Sequence, residues 1–194
     1  MTTEEKIQKA FLSLMQQTSY TDITVTALAE KAGINRRTFY RHYSSIASVL
    51  TEFECNTVKT YCEMLTGRPF SIRRFIEAIN QNIRNYYDFF DDLAVTQKHS
   101  FFIEHFIDII AYVFDAALQR PAEVSPAEFN MHIRFVAGGM MRVYLDWLHD
   151  SQPVSMEVLT AQLDKMVTAE FAGIKLKKLA EKGETSEQYV ASTV

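Results

Sequence analysis

Apolar residues recur along this chain with the three-to-four-residue period of helices, and no run alternates apolar and polar residues as a strand would. Ile7, Ala10, Phe11, Leu14 and Met15 form a first stripe, opened by a Thr2-Thr3-Glu4-Glu5 capping box. Val25, Leu28, Ala29 and Ala32 fall at i, i+3, i+4 and i+7, behind a capping Thr24 and ahead of a terminating Gly33. Asn35 opens the next helix, with Ile34 and Phe39 at the two positions of a hydrophobic staple and Phe39 and Tyr43 on its buried side. A long helix is predicted over 46–65, ended by Thr66-Gly67-Arg68-Pro69. Further helices are predicted over 71–87, 88–96 and 100–119. Ser125-Pro126 starts another that runs to about His149, where Ser151-Gln152-Pro153 ends it. In the last, Val158, Leu159, Leu163, Met166, Val167 and Phe171 share a stripe, and helix is expected to persist to about Lys182.

The expected fold class is therefore all-α, with about nine helices. Residues 1–50 read as a three-helix helix-turn-helix domain, with the motif itself at 24–43. Residues 51–174 read as a C-terminal helical domain, and 175–194 as a polar tail. At 194 residues with 47% hydrophobic positions, the chain can bury a sizeable core. Eighteen of the 24 aromatic residues lie between Tyr61 and Tyr189, so the richest core material sits in the second part.

Charge is divided unevenly. The overall net charge of -4 would be unusual for a DNA-binding protein. Residues 1–50, however, carry six Lys or Arg against four Asp or Glu, and the acidic excess falls in the remainder. That asymmetry suits a head that meets phosphate and a body that does not. With charges at Glu4, Glu5, Lys6 and Lys9 no secretory signal is expected, and no apolar run reaches the ~18 residues of a membrane helix. Cys55 and Cys62 are seven apart on one predicted helix, about 10 Å at the helical rise, which is too far for a disulfide. A cytoplasmic protein with reduced thiols is the expectation.

The chemistry is concentrated in the second helix of the 24–43 pair. With Phe39 and Tyr43 turned inward, Arg37, Tyr40 and Arg41 face outward. Arginine can read guanine edges bidentately, and tyrosine hydroxyls bond phosphate oxygens, so this face suits the major groove of double-stranded DNA.

The segment Gly33-Ile34-Asn35-Arg36-Arg37-Thr38-Phe39-Tyr40-Arg41-His42-Tyr43, with Leu28-Ala29 and Lys31-Ala32 before it, resembles the recognition segment of the TetR family of bacterial regulators. The resemblance covers about the first 55 residues. It implies that Arg36, Arg37 and Thr38 touch bases, that Tyr40 and His42 touch phosphates, and that Thr24 and Thr26 approach the backbone. Asn35, Arg41 and Tyr43 complete the expected DNA-binding set. Where the family runs Ser-Lys-Glu, this chain has Ser45-Ile46-Ala47, so the lysine contact is missing; Ser44 or Ser45 remains available to cap the next helix. The family also implies a homodimer on a palindromic operator, a ligand-responsive repressor or activator, and a small-molecule effector whose identity the sequence does not specify.

Two stretches of the C-terminal part carry further expectations. Residues 135–148 place Gly138 and Gly139 inside a helix that ends in Trp147-Leu148. This resembles the branch of the TetR family that includes regulators similar to the activator of dihydroxyacetone kinase genes. It implies dimerisation through the last two helices, with Gly138, Gly139, Leu163 and Val167 at the interface. An intramolecular helix crossing would also explain the glycines. Residues 97–106 gather two histidines and a glutamate among phenylalanines. Phe102, His105, Phe106, Met140 and Trp147 are the expected lining of an effector pocket. A di-iron site would need two Glu-x-x-His motifs, and the nearest match, Asp146-Trp147-Leu148-His149, stands alone. No nucleophile–base pair or phosphate-cradling glycine loop is visible, so neither metal, cofactor nor enzymatic activity is expected. The competing reading is a helical metal, redox or partner-binding protein with a vestigial helix-turn-helix.

Overall fold

The computed structural model describes residues 1–63, 70–96, 100–150 and 154–177. Within these, nine α-helices follow one another: α1 Thr3–Met15, α2 Val25–Lys31, α3 Arg36–His42, α4 Ile46–Glu63, α5 Ile72–Asn85, α6 Tyr87–Thr96, α7 Ser100–Ala117, α8 Pro126–His149 and α9 Met156–Glu170. A short 3₁₀ turn, Tyr20–Asp22, joins α1 to α2. The fold is all-α. The breaks anticipated at 66–69 and 151–153, and the segment 97–99, lie outside the described residues.

The local signals act as elementary chemistry dictates. Thr2 accepts from the Glu5 amide at 3.1 Å while the Glu5 carboxylate accepts from the Thr2 amide at 2.8 Å. Ser125 and Glu128 repeat that exchange at the start of α8, with Pro126 as its first residue. Each exchange satisfies amides that the first helical turn leaves without partners.

In the head, α1 packs across α2 and onto α4, burying Ile7, Phe11, Met15, Leu28 and Phe39 completely or nearly so. In the body, α8 lies against both α6 and α7, and α9 closes over α5. Aromatic rings dominate that core. Phe114 sits fully buried among Phe75 at 5.4 Å, Phe70 at 6.3 Å and Phe171 at 5.1 Å. Such pairs add about 0.5–1.5 kcal/mol each beyond the area they bury.

One polar chain runs through this apolar interior. The Tyr144 hydroxyl donates to Asn80 Oδ1 at 2.7 Å, Asn80 Nδ2 donates to Thr160 Oγ1 at 2.7 Å, and Thr160 Oγ1 donates to the Met156 carbonyl at 2.6 Å. All three side chains are buried. The chain therefore ties α5 to α8 and α9 with no water competing.

The end of α9 differs from expectation. Phe171 is its C-cap and Gly173 adopts a left-handed φ of 83°, which stops the helix. Residues 174–177 then run extended beside the end of α7. The Gln119 amide donates to the Lys175 carbonyl at 2.7 Å and the Lys177 amide to the Ala117 carbonyl at 2.8 Å. Helix does not continue through Lys175 toward Lys182, because these inter-segment bonds offer its backbone another partner. Residues 178–194 lie outside the described region.

Candidate nucleic-acid interface

The turn between α2 and α3 is built by glycine. Gly33, at φ 68°, lets its amide reach the Glu30 carbonyl at 3.0 Å while the Ile34 amide reaches that of Ala29 at 2.9 Å. This pair of bonds is the Schellman closure, and a side chain at Gly33 would strain it. Thr24 Oγ1 accepts from the Ala27 amide at 3.2 Å to start α2, and Asn35 Oδ1 accepts from the Thr38 amide at 2.8 Å to start α3. Both side-chain acceptors are thus occupied in shaping the motif.

On α3 the inward residues are Phe39 and Tyr43, whose rings pack 5.8 Å apart in the head's core. Arg36, Arg37, Tyr40 and Arg41 are exposed, as are Thr24, Thr26 and Asn35, and Thr38 is half-buried. The Arg36 guanidinium lies 6.0 Å from the centre of the Tyr40 ring, close enough for a weak cation–π attraction. The result is one cationic, hydrogen-bonding surface raised on an apolar base.

Two members of the expected set sit differently. Tyr43 is only 3% exposed, so it lies off the outward face and serves as an anchor of the helix. Burial, with the neighbouring Glu52 carboxylate, pushes its phenol far above the ordinary range and keeps it protonated. His42 turns toward α1: its Nδ1 is 2.7 Å from Glu4 Oε1, and its Nε2 is buried without a partner. The Glu4 carboxyl is held below the usual carboxylate range, first by its own backbone amide in the exposed first turn of α1, then by Thr2 and His42. This pair braces α3 against the start of α1, a contact between residues 38 positions apart that periodicity does not reveal.

At the start of α4, Ser45 and Ser48 exchange amide-to-hydroxyl bonds, each 3.1 Å. Ser45 is therefore the cap that the sequence anticipates, with Ser48 as an unanticipated partner. Ile46, standing where the family carries lysine, packs onto the core of the head.

The five residues expected to line a pocket are spread over different environments. Phe102 packs on Phe89 at 5.3 Å and Phe106 on Phe90 at 5.1 Å, both buried. His105 Nδ1 forms a close ion pair with Glu54 of α4. Burial raises the Glu54 carboxyl above its ordinary value, and the His105 charge opposes that rise. Trp147 Nε1 donates to the Val154 carbonyl at 2.6 Å. Met140 borders a shallow surface groove of about 240 Å³ between α8 and α9 that none of the other four reaches.

Leu163 and Val167 are buried within the chain and form the floor of that groove. The exposed apolar residues are Met131 and Phe135 on α8 and Val158 and Met166 on α9, at 69, 74, 46 and 52% exposure. The sequence places Val158 and Met166 in the buried stripe; in the fold they stand beside it. A methyl group added at Gly138 or Gly139 would meet nothing within 4 Å. The glycines are therefore not explained by a close crossing inside the protomer. Among the described residues no group of three His, Cys, Asp or Glu could hold a metal ion, and no helix is long and apolar enough to cross a membrane.

Comparison with known proteins places this arrangement. The model described as bacterial regulatory proteins of the tetR family matches residues 7–53, and a TetR-type model described as a transcriptional regulator C-terminal region matches residues 70–169. No curated protein matches the sequence. Among solved structures, a TetR transcriptional regulator from Streptococcus agalactiae is similar with a TM-score of 0.60 at 22% identity, over 85% of this chain and 93% of that one. The dihydroxyacetone kinase operon activator DhaS is similar with a TM-score of 0.55 at 20% identity, over 87% of this chain and 95% of that one. The fatty acid degradation regulator FadR from Bacillus halodurans is similar with a TM-score of 0.56 at 10% identity, over 90% of this chain and 97% of that one. The tight Gly33 turn, the anchored α3 and the matches along both parts of the chain lead to one conclusion: this protein belongs to the TetR family of transcriptional regulators.

Proposed function

We propose that the protein is a homodimeric, DNA-binding transcriptional regulator that seats its two α3 helices in successive major grooves of a palindromic operator, under the control of a small molecule. The observation that carries this reading is the division of α3: Phe39 and Tyr43 hold it from below, while Arg36, Arg37, Tyr40 and Arg41 stand free above. Arg36 and Arg37 occupy its first turn, the part of a recognition helix that lies nearest base edges. Tyr40, Arg41, Thr24 and Thr26 are exposed as well, and we assign them to the phosphate backbone. His42, braced on Glu4, orients the helix.

The dimer is proposed through α8 and α9. Exposed apolar patches of this kind mark interfaces. Phe135 and Met166, which share the α8–α9 groove, provide one, with Met131 and Val158 exposed further along the same two helices, and the open glycines leave room for a second backbone. An isologous four-helix bundle uses the same surface twice. To read successive major grooves, the dimer must hold its two heads ~34–36 Å apart.

The test is selection of a binding site from random duplexes, followed by fluorescence anisotropy over a salt series. The expected result is an inverted repeat whose affinity falls steeply with salt, as release of counterions from several phosphates requires. An unselective protein with salt-independent binding would refute the proposal. Bound metal together with no affinity for DNA would favour the metal or redox reading instead.

A further inference from the structure

We propose that the effector site is an amide-lined cleft between α1, α4 and α5, and that it takes a small, neutral, polyhydroxylated molecule such as a sugar or sugar alcohol. This rests on the reading of the protein as a ligand-controlled regulator, and it moves the site away from the Phe102, His105 and Met140 environments.

The cleft has a volume of about 230 Å³ and is lined by eleven residues, none of them charged. It is smaller than the ~300–1,000 Å³ of sites for drug-sized ligands, which suits a small occupant. An uncharged wall offers nothing to pair with a carboxylate or phosphate. The polar groups that remain open are mixed. Asn82 Nδ2 donates to the Tyr61 hydroxyl at 3.2 Å, which leaves Asn82 Oδ1 as an acceptor and the Tyr61 proton as a donor. Gln81 Nε2 donates to Asn85 Oδ1 at 2.9 Å, which leaves Gln81 Oε1 accepting and Asn85 Nδ2 donating. Asn56 adds a complete amide. Tyr61 is buried, and burial keeps its phenol protonated well above the ordinary range, so it stays a donor.

A hydroxyl group both donates and accepts, and so does each primary amide. Adjacent hydroxyls on a short carbon chain therefore match an array of amides better than any ion would. Phe53 and Tyr86, whose rings pack 5.7 Å apart, supply an apolar wall for the C–H faces of such a molecule.

The position also suits control. Gln8 comes from α1 of the head, while Gln81 and Asn85 come from α5 of the body. A molecule bonded to both would favour one orientation of α1 over another. A ligand shifts an equilibrium only by such a difference in affinity between two arrangements.

The experiment titrates glycerol, ribitol, xylitol and D-glucose, with glucose 6-phosphate as a charged control, into the full-length protein labelled with ¹⁵N. Calorimetry and the side-chain amide resonances are followed, and DNA affinity is measured with and without each compound. The expected result is saturable binding of at least one neutral compound, with shifts centred on Gln8, Asn56, Gln81 and Asn85. Asn56→Leu and Asn85→Leu, both at exposed positions, should weaken that binding about tenfold or more. Asn130→Leu, at an exposed position on α8, should leave it unchanged. The proposal is overturned if no neutral compound binds, if the phosphate binds better, or if the variants bind as the wild type does. If polyols bind but the protein shows no affinity for DNA, the regulator reading fails while the cleft assignment stands. If DNA binds and polyols do not, the cleft assignment fails alone.

Discussion

Tyr144→Phe removes a single oxygen from the middle of the body, and its consequence can be worked from the geometry. The lost hydroxyl is the donor to Asn80 Oδ1 at 2.7 Å, and both residues are nearly inaccessible, at 1 and 3% exposure. Water cannot take the vacated place, so the amide oxygen is left buried without a partner. That costs about 1–3 kcal/mol. For a chain of this size each kcal/mol corresponds to roughly 2–4 °C in Tm. A fall of several degrees is therefore expected, measured by circular dichroism at one protein concentration because dimerisation would add to stability. Asn80→Leu should cost a similar amount by leaving the Tyr144 hydroxyl idle. It strands less at Thr160, which still donates to the Met156 carbonyl at 2.6 Å. The decisive measurement is the double variant in urea denaturation. With both partners gone no orphan remains between them, so the combined loss should be smaller than the sum by at least ~0.5–1 kcal/mol. Strict additivity would refute the argument that this hydrogen bond, rather than packing alone, joins α5 to α8.

Four further outcomes are expected. Arg37→Ala should weaken binding to the selected operator by ~1–3 kcal/mol and relax base preference at one position, whereas Tyr40→Phe should weaken all sequences alike; equal operator affinity of Arg37→Ala and wild type would remove that residue from the interface. Phe135→Asp and Met166→Asp should shift sedimentation toward monomer with little change in helix content, since both side chains project from the protomer. Gly139→Leu should do the same, because even its Cβ meets nothing within 4 Å and the side chain enters the exposed groove; an unchanged dimer would locate the interface elsewhere. Burial raises the folded-state affinity of Glu54 for its proton above the unfolded value of about 4.3. The group's stabilising contribution is therefore fully present in acid and is lost as pH rises through the folded value. Wild type should lose stability relative to Glu54→Gln as pH rises above the ordinary carboxylate range of about 4, and parallel curves would show that Glu54 is not the source.

Much of this protein was legible along the chain because its determinants are local. Thr2 with Glu5, Thr24, Asn35 and Ser125 with Glu128 cap helices within three residues of themselves, and Gly33 closes its turn through bonds to residues three and five positions back. The inward set of α3, Phe39 and Tyr43, follows from helical period alone. Periodicity yields the apolar side of a helix but not its width. Val158 and Met166 lie on the same arc as Leu159 and Leu163, and only the placement of α9 over α5 decides which pair is covered. The same limit applies to polar groups. Asn80, Tyr144 and Thr160 are distant in sequence and ordinary one by one, and they become a buried network only when three helices meet. His42 finds Glu4, Glu54 finds His105, and Lys175 finds Gln119 across similar separations. The uncharged cleft is likewise a property of three helices at once. Local capping and period are written in neighbouring residues; partner choice between distant helices is set by which faces come together, and that is settled only by the packed chain.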